Sequence, residues 1–247
     1  VLTRIQQRGL LILRQVLMGI LINLLVSSEF LRILIVHAPG SSNLPSGEQI
    51  VIEQERAYLE SKAHVVQILM DRNGFGKNPF TLFLSFQKAR WLRQAINTFQ
   101  PDIIHFHSVI PYLGLSALIV AKKQGVPVVQ TLHNGRWLCV EGGYFRNGKY
   151  CNDCIGSFGL KGVIKGCGHG RLSSLLLFFI NLVARYHGLL FHWVDRFISV
   201  SDFVNLQHLK SGFPEEKMMV NNNGIDIGSL DRAGYAKPWK ERSGVAF

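Results

Sequence analysis

Residues Arg32-Ile-Leu-Ile-Val-His37, a loop through Gly40, Ser41, Pro45 and Ser46, and then Gly47-Glu-Gln-Ile-Val-Ile-Glu53 decide how the rest of the chain is read. The first run is short and apolar, the pattern of a strand buried on both faces. The last run opens a helix. Ser46 is placed to cap it, and Gln49 to bond back to Ser46, which makes a capping box. Gly47 lets a ligand approach the backbone closely. Free N–H groups at a helix start favour a phosphate. The segment is neither a GxGxxG fingerprint nor a P-loop. Taken alone, it also fits the strand–helix connection of any α/β protein.

Working outward, strand-like runs alternate with helical patterns. A helix over 47–62 has Ile50, Val51, Ala57 and Tyr58 on one face and Glu53, Arg56 and Glu60 opposite. His64-Val-Val-Gln-Ile-Leu-Met70 is a second strand, and Asp71 to Asn78 a loop. Leu82, Phe86, Ala89, Leu92, Ile96 and Phe99 form a helical stripe that Pro101-Asp102 stops. Ile103-Ile-His-Phe-His107 is the third strand, Pro111 to Gln124 a helix ended by Gly125, and Pro127-Val-Val-Gln-Thr-Leu132 the fourth strand. Residues 134–171 are rich in glycine, hold all four cysteines and show little periodicity. A long helix from Arg171 to about Trp193, a strand over 195–200, a helix capped by Ser201-Asp202 and a short strand Lys217-Met-Met-Val220 follow. This alternation predicts an α/β fold: a Rossmann-like parallel sheet with helices on both faces, carrying a Cys/Gly-rich insert.

The 247 residues, 47% hydrophobic and 17% charged, exclude a disordered chain and allow one large or two small domains. A net charge of +11 calls for an anionic partner: nucleic acid, acidic lipid headgroups or a phosphorylated substrate. None of the standard nucleic-acid-binding motifs is present, so no nucleic-acid partner is expected. Cysteines gathered in one insert, with no cleavable leader pattern, point to a reducing, cytoplasmic compartment. Residues 1–30 are a basic, apolar extension in which Arg14, Gln15 and Asn23 interrupt a membrane-span pattern. They read either as an interfacial helix or as sequence foreign to the native protein, and do not enter the fold argument.

In open parallel sheets, ligands bind beyond the carboxyl ends of the strands. Those ends carry His37, His105 and His107, and His133-Asn134. Alternation places His105 and His107 on the same side of their strand. The cysteines, Cys139, Cys151, Cys154 and Cys167, are spaced C-x11-C-x2-C-x12-C. A single CxxC pair supports a closed structural zinc, with His133 or His169 able to replace a distant thiolate; unligated thiols or disulfides also fit. The helix from Arg171 is apolar nearly all round. That suits burial between sheet and insert, or a membrane-facing surface, since residues 133–192 hold seven Lys/Arg against Glu141 and Asp153.

Six segments in order, Leu31-Arg-Ile-Leu-Ile-Val-His37, Pro45-Ser-Gly-Glu48, Pro101-Asp-Ile-Ile-His-Phe-His107, Gly125-Val-Pro-Val-Val-Gln-Thr-Leu-His-Asn134, Asp195-Arg-Phe-Ile-Ser-Val-Ser201 and Asn222-Asn-Gly-Ile-Asp226, resemble the amino-terminal domain of family 4 glycosyltransferases. The similarity extends to a branch with a cysteine-bearing insert. It implies the amino-terminal half of a GT-B fold and retaining sugar transfer from a nucleotide-sugar. The acceptor would be a glycan or a lipid-linked molecule of cell-envelope polysaccharide synthesis, met at the inner face of the cytoplasmic membrane. It implies that His107 acts catalytically beside the donor sugar. Ser46 and Gly47 would lie near the donor diphosphate, and His105, His133 and Asn134 would line the substrate cleft. It implies no catalytic metal. It also implies that residues 31–226 are the acceptor domain and that 227–247 begin a second, donor-gripping domain. On that expectation, this chain alone transfers no sugar. The reading from another class is a non-catalytic, zinc-stabilised Rossmann-like module that recruits a protein or lipid partner.

Overall fold

The computed structural model describes residues 30–38, 46–71, 85–168 and 170–224. The expectations for residues 1–29, for the loops over 39–45 and 72–84, for His169 and for residues beyond 224 lie outside the described residues.

Six parallel strands form the main sheet: β1 (Arg32–His37), β2 (Val65–Met70), β3 (Ile103–His107), β4 (Val128–Leu132), β7 (Arg196–Ser199) and β8 (Met218–Val220). Their order is β2-β1-β3-β4-β7-β8. β1 leads outward to β2 on one side, and the chain returns to place β3 on the other. The sheet therefore has a topological switch point between the carboxyl ends of β1 and β3, where His37 pairs in register with His107. Between β4 and β7 lies the insert, with a small antiparallel pair, β5 (Phe145–Arg146) and β6 (Lys149–Tyr150).

The helices are α1 (Gly47–Ser61), α2 (Phe86–Phe99), α3 (Leu115–Lys123), α4 (Leu160–Ile164), α5 (Arg171–Arg185), α6 (Leu189–Trp193) and α7 (Asp202–Lys210). Alternation along the strands makes two cores. Ile33, Ile35, Ile103, Val129 and Ile198 face Ile52 and Leu59 of α1. Leu34, Val36, Ile104, Phe106 and Val128 face α2, α3, α5 and α7 through Leu92, Ile96, Leu118, Ile180 and Val204. The predicted parallel α/β fold with helices on both faces is thus what the chain adopts.

Three local expectations are corrected. The buried stripe of α1 is Ile52 and Leu59, and Ile50 is exposed. The helix expected from Pro111 begins at Leu115, after a wide turn over Val109–Leu113. The long helix from Arg171 breaks after Arg185, because His187 and Gly188 take left-handed backbone angles (φ 52° and 70°). The expected capping box at Ser46 is present: Gln49 N donates to Ser46 Oγ (3.3 Å) and Ser46 N donates to Gln49 Oε1 (2.9 Å).

Candidate functional site

The switch point gathers side chains from β1, β3, β4 and α1. His105 and His107 share the α1 side of β3, as alternation predicts. His105 Nδ1 lies 2.7 Å from Glu55 Oε1, and its Nε2 lies 2.7 Å from Thr131 Oγ1. His107 Nε2 lies 3.3 Å from Glu55 Oε2 without hydrogen-bond geometry, and its Nδ1 lies 2.8 Å from His133 Nε2. The rings of His107 and His133 stack at 5.1 Å. A continuous contact path therefore runs Thr131–His105–Glu55–His107–His133.

Electrostatics follow from depth. Burial, then repulsion from His105, lowers the His107 pKa to about 3, so the ring is neutral at physiological pH. Burial also lowers His37 and His133. For Glu55 burial pushes upward, but attraction and hydrogen bonding from His105 outweigh it and hold the carboxylate ionised. His37 is buried, its ring nitrogens lack hydrogen-bond partners, and its Nδ1 stands 3.9 Å from Glu48 Oε2. Ser108 takes a left-handed backbone (φ 53°) at the end of β3, and its hydroxyl donates to Glu48. A non-glycine residue held in that region at a strand end is the kind of local strain that collects at functional sites.

The sequence-predicted residues separate by depth. His107 and His105 are buried, at 1% and 6% exposure, so neither ring lies open to a ligand. His133 and Asn134 are half-buried and border a crevice with Ser108 and Arg136. Asn134 Oδ1 accepts from Arg136 N (3.1 Å), which shapes the turn into the insert. Ser46 is half-buried at the start of α1. A Cβ added to Gly47 would meet nothing within 4 Å, so the protein's own packing does not demand glycine there. Glu48, Glu55, Ser108 and Thr131 were not singled out from the sequence. The signal existed: Glu48, Ile52, Glu55 and Leu59 recur at helical spacing, so two acids share the buried stripe of α1.

Glu55, His105 and His107 have ligand atoms within 4.8 Å of one another and could hold a metal ion. Among the described residues the cysteines form no group of that spacing. All four are free thiols. Hydrogen bonding with Cys154, helped by backbone N–H groups and opposed by burial, lowers the Cys139 thiol to about 6; hydrogen bonding with Cys139 and burial both raise Cys154. Cys154 Sγ and the Cys167 Cβ both lie against Gly162, while Cys151 donates to Asp153 Oδ2 (3.2 Å).

The sequence profile of glycosyltransferase family 4 matches residues 35–229, most of the chain. The chain belongs to glycosyltransferase family 4. Solved structures that it matches include Staphylococcus aureus MnaA with UDP (12% identity, TM-score 0.45, covering 78% of this chain and 44% of that one). UDP-GlcNAc 2-epimerase from Methanocaldococcus jannaschii matches at 11% identity and a TM-score of 0.43, covering 76% of this chain and 45% of the other. Anabaena HepE with UDP matches at 16% identity and a TM-score of 0.40, covering 80% and 45%. The chain spans under half the length of these proteins. No curated protein matches it. Family membership agrees with the observed fold, a Rossmann-like parallel sheet of the GT-B half-fold type.

Proposed function

We propose that this chain forms the acceptor-side wall of a retaining glycosyltransferase, which moves a sugar from a nucleotide-sugar to a glycan or lipid-linked acceptor in cell-envelope polysaccharide synthesis. The observation that carries the reading is the switch point itself. The capped start of α1, open at Gly47, is tied to the end of β3 through Glu48 and Ser108, and the histidine path ends at the crevice that Ser108 and His133 border. The donor diphosphate lies toward Gly47 and Ser46. His133 touches the substrate from the crevice wall. His107, buried behind it, is a positioning residue: its Nδ1 contact at 2.8 Å holds the His133 ring, and Glu55 holds His107. Catalysis then consists of orientation and stabilisation of the leaving diphosphate.

A lipid-linked acceptor suits the exposed stripe of Leu172, Leu175, Phe179 and Val183 on α5. With the chain's net charge of +11, that stripe fits an anionic lipid surface.

The test is transfer of labelled sugar, from a panel of nucleotide-sugars to lipid-extracted acceptors, by the longest protein containing these residues. His133→Ala is expected to lower kcat by roughly 10²–10⁴-fold with the melting temperature unchanged. His107→Ala, acting through His133, is expected to lower kcat with little change in KM. The burial of His107 favours a second reading, a non-catalytic zinc-stabilised binding module. No turnover with any donor would favour that module over the enzyme, and retained transfer in His133→Ala would remove His133 from the substrate contact.

A further inference from the structure

We propose that Glu55, His105 and His107 hold a divalent transition-metal ion of the zinc class, which pins α1 to β3 behind the crevice wall. Two imidazoles and one carboxylate are a donor set that such ions take, with bonds of about 2.0–2.2 Å. Donors on a tetrahedral ion then stand about 3.4 Å apart. Here His107 Nε2 and Glu55 Oε2 are 3.3 Å apart, His105 Nδ1 and Glu55 Oε1 are 2.7 Å apart and must open by about 0.7 Å to admit the ion, and all the donor atoms fall within 4.8 Å of one another.

Three further observations point to an ion rather than to a hydrogen-bonded cluster alone. First, His107 Nε2 is buried without a hydrogen-bond partner, although it faces Glu55 Oε2. A buried polar atom of that kind wants a ligand. Second, each histidine has its other nitrogen engaged from outside: His105 Nε2 with Thr131 Oγ1 at 2.7 Å, and His107 Nδ1 with His133 Nε2 at 2.8 Å. Metal-bound histidines are oriented in this way, with the far N–H donating to a fixed acceptor. Third, the donors come from two different elements, α1 and β3, so one ion fixes the helix that carries the Gly47 turn against the central sheet. With the ion in place, His107 Nδ1–H donates to His133 Nε2. The remaining proton of a neutral His133 is then on Nδ1. The three ligands leave one coordination position open, set behind the crevice, and the inference does not depend on the sugar-transfer reading.

The experiment uses the 247-residue chain, stripped with chelator and titrated with cobalt(II) in the absence of any nucleotide-sugar. We expect visible d–d bands without thiolate charge-transfer bands, saturating at one ion per chain. Glu55→Gln should remove those bands, and Thr131→Val, which leaves all three ligands in place, should weaken affinity about 10–100-fold. Zinc should raise the melting temperature of the wild type and not that of Glu55→Gln. Three results would overturn the proposal: no bound cobalt, bands that carry only thiolate charge transfer, or thiolate-free bands that survive both substitutions unchanged. Because no donor is present, loss of the metal claim leaves the transferase reading to its own assay.

Discussion

His208 offers a quantitative check on the core that supports the site. It lies on α7, fully buried, with Nδ1 donating to Val204 O (2.7 Å) and the Phe213 ring edge-on at 4.8 Å. Its Nε2 has no partner, and the Arg185 guanidinium is near enough to repel a second charge. Burial first, and Arg185 second, lower its pKa from 6.5 to about 4, against a raising effect of the Val204 carbonyl. In the unfolded chain the ring takes up its proton near pH 6.5, while in the folded chain it waits until about pH 4. Between those values the unfolded state binds more protons, so acid destabilises the fold. The stability due to neutral His208 is whole above pH 6.5 and lost as pH falls toward 4. At about 1.4 kcal/mol per pK unit, the loss between pH 7 and pH 5 is about 2 kcal/mol, a large share of a typical folding free energy. Urea unfolding of wild type and His208→Asn at both pH values measures it. Asparagine keeps a donor for Val204 O and does not titrate, and the other histidines contribute equally to both proteins. The stability gap between wild type and variant should narrow by about 2 kcal/mol at the lower pH. Parallel curves, with the gap constant to within about 0.5 kcal/mol, would refute the reasoning.

Two surface substitutions separate stability from function. Gly47→Ala adds a methyl group where nothing lies within 4 Å. It should leave stability unchanged or raise it by up to about 1 kcal/mol, while raising KM for the nucleotide-sugar; equal KM values would remove Gly47 from the donor site. Phe179→Glu places a charge in the exposed stripe of α5, at a ring 47% exposed. Losing about 1–2 kcal/mol of apolar burial should weaken co-sedimentation with anionic vesicles roughly tenfold, whereas unchanged partitioning would show that the stripe does not meet lipid.

The parallel sheet was legible because its strands are short apolar runs that Pro, Gly and capping residues bound on either side. The cue survives without any packing information. The acid partners of the histidines were not. Reading α1 from its consecutive apolar pair, Ile50-Val51, turned the helix so that Ile50 faced inward, yet Ile50 is 54% exposed. The stripe that packs is Ile52 and Leu59, and it carries Glu48 and Glu55 with it. A helix that buries carboxylates defeats a rule in which apolar residues mark the inner face. The break at His187 was hidden for a related reason: composition alone reads Arg171 to Trp193 as one apolar helix, and one left-handed pair divides it. Spacing among the cysteines could not tell that Cys154 and Cys167 both lie against Gly162 while Cys151 turns to Asp153.

Depth along the sheet was the other hidden quantity, and it separates the histidines. His107 and His133 are both strand-end residues, so sequence position alone makes them equal candidates. The register removes that equality: His107 pairs with Thr131, so His133 stands two residues farther out along its strand, on the same face of the sheet. At about 3.3 Å per residue, that difference is more than the length of a hydrogen bond. α1 covers the inner ring and leaves the outer one at the crevice, with the 2.8 Å contact linking the two. Residue type told which side chains carry chemistry. Register sets their depth, and the proposed reading follows from it: His133 at the crevice meets the ligand, and His107 acts through His133.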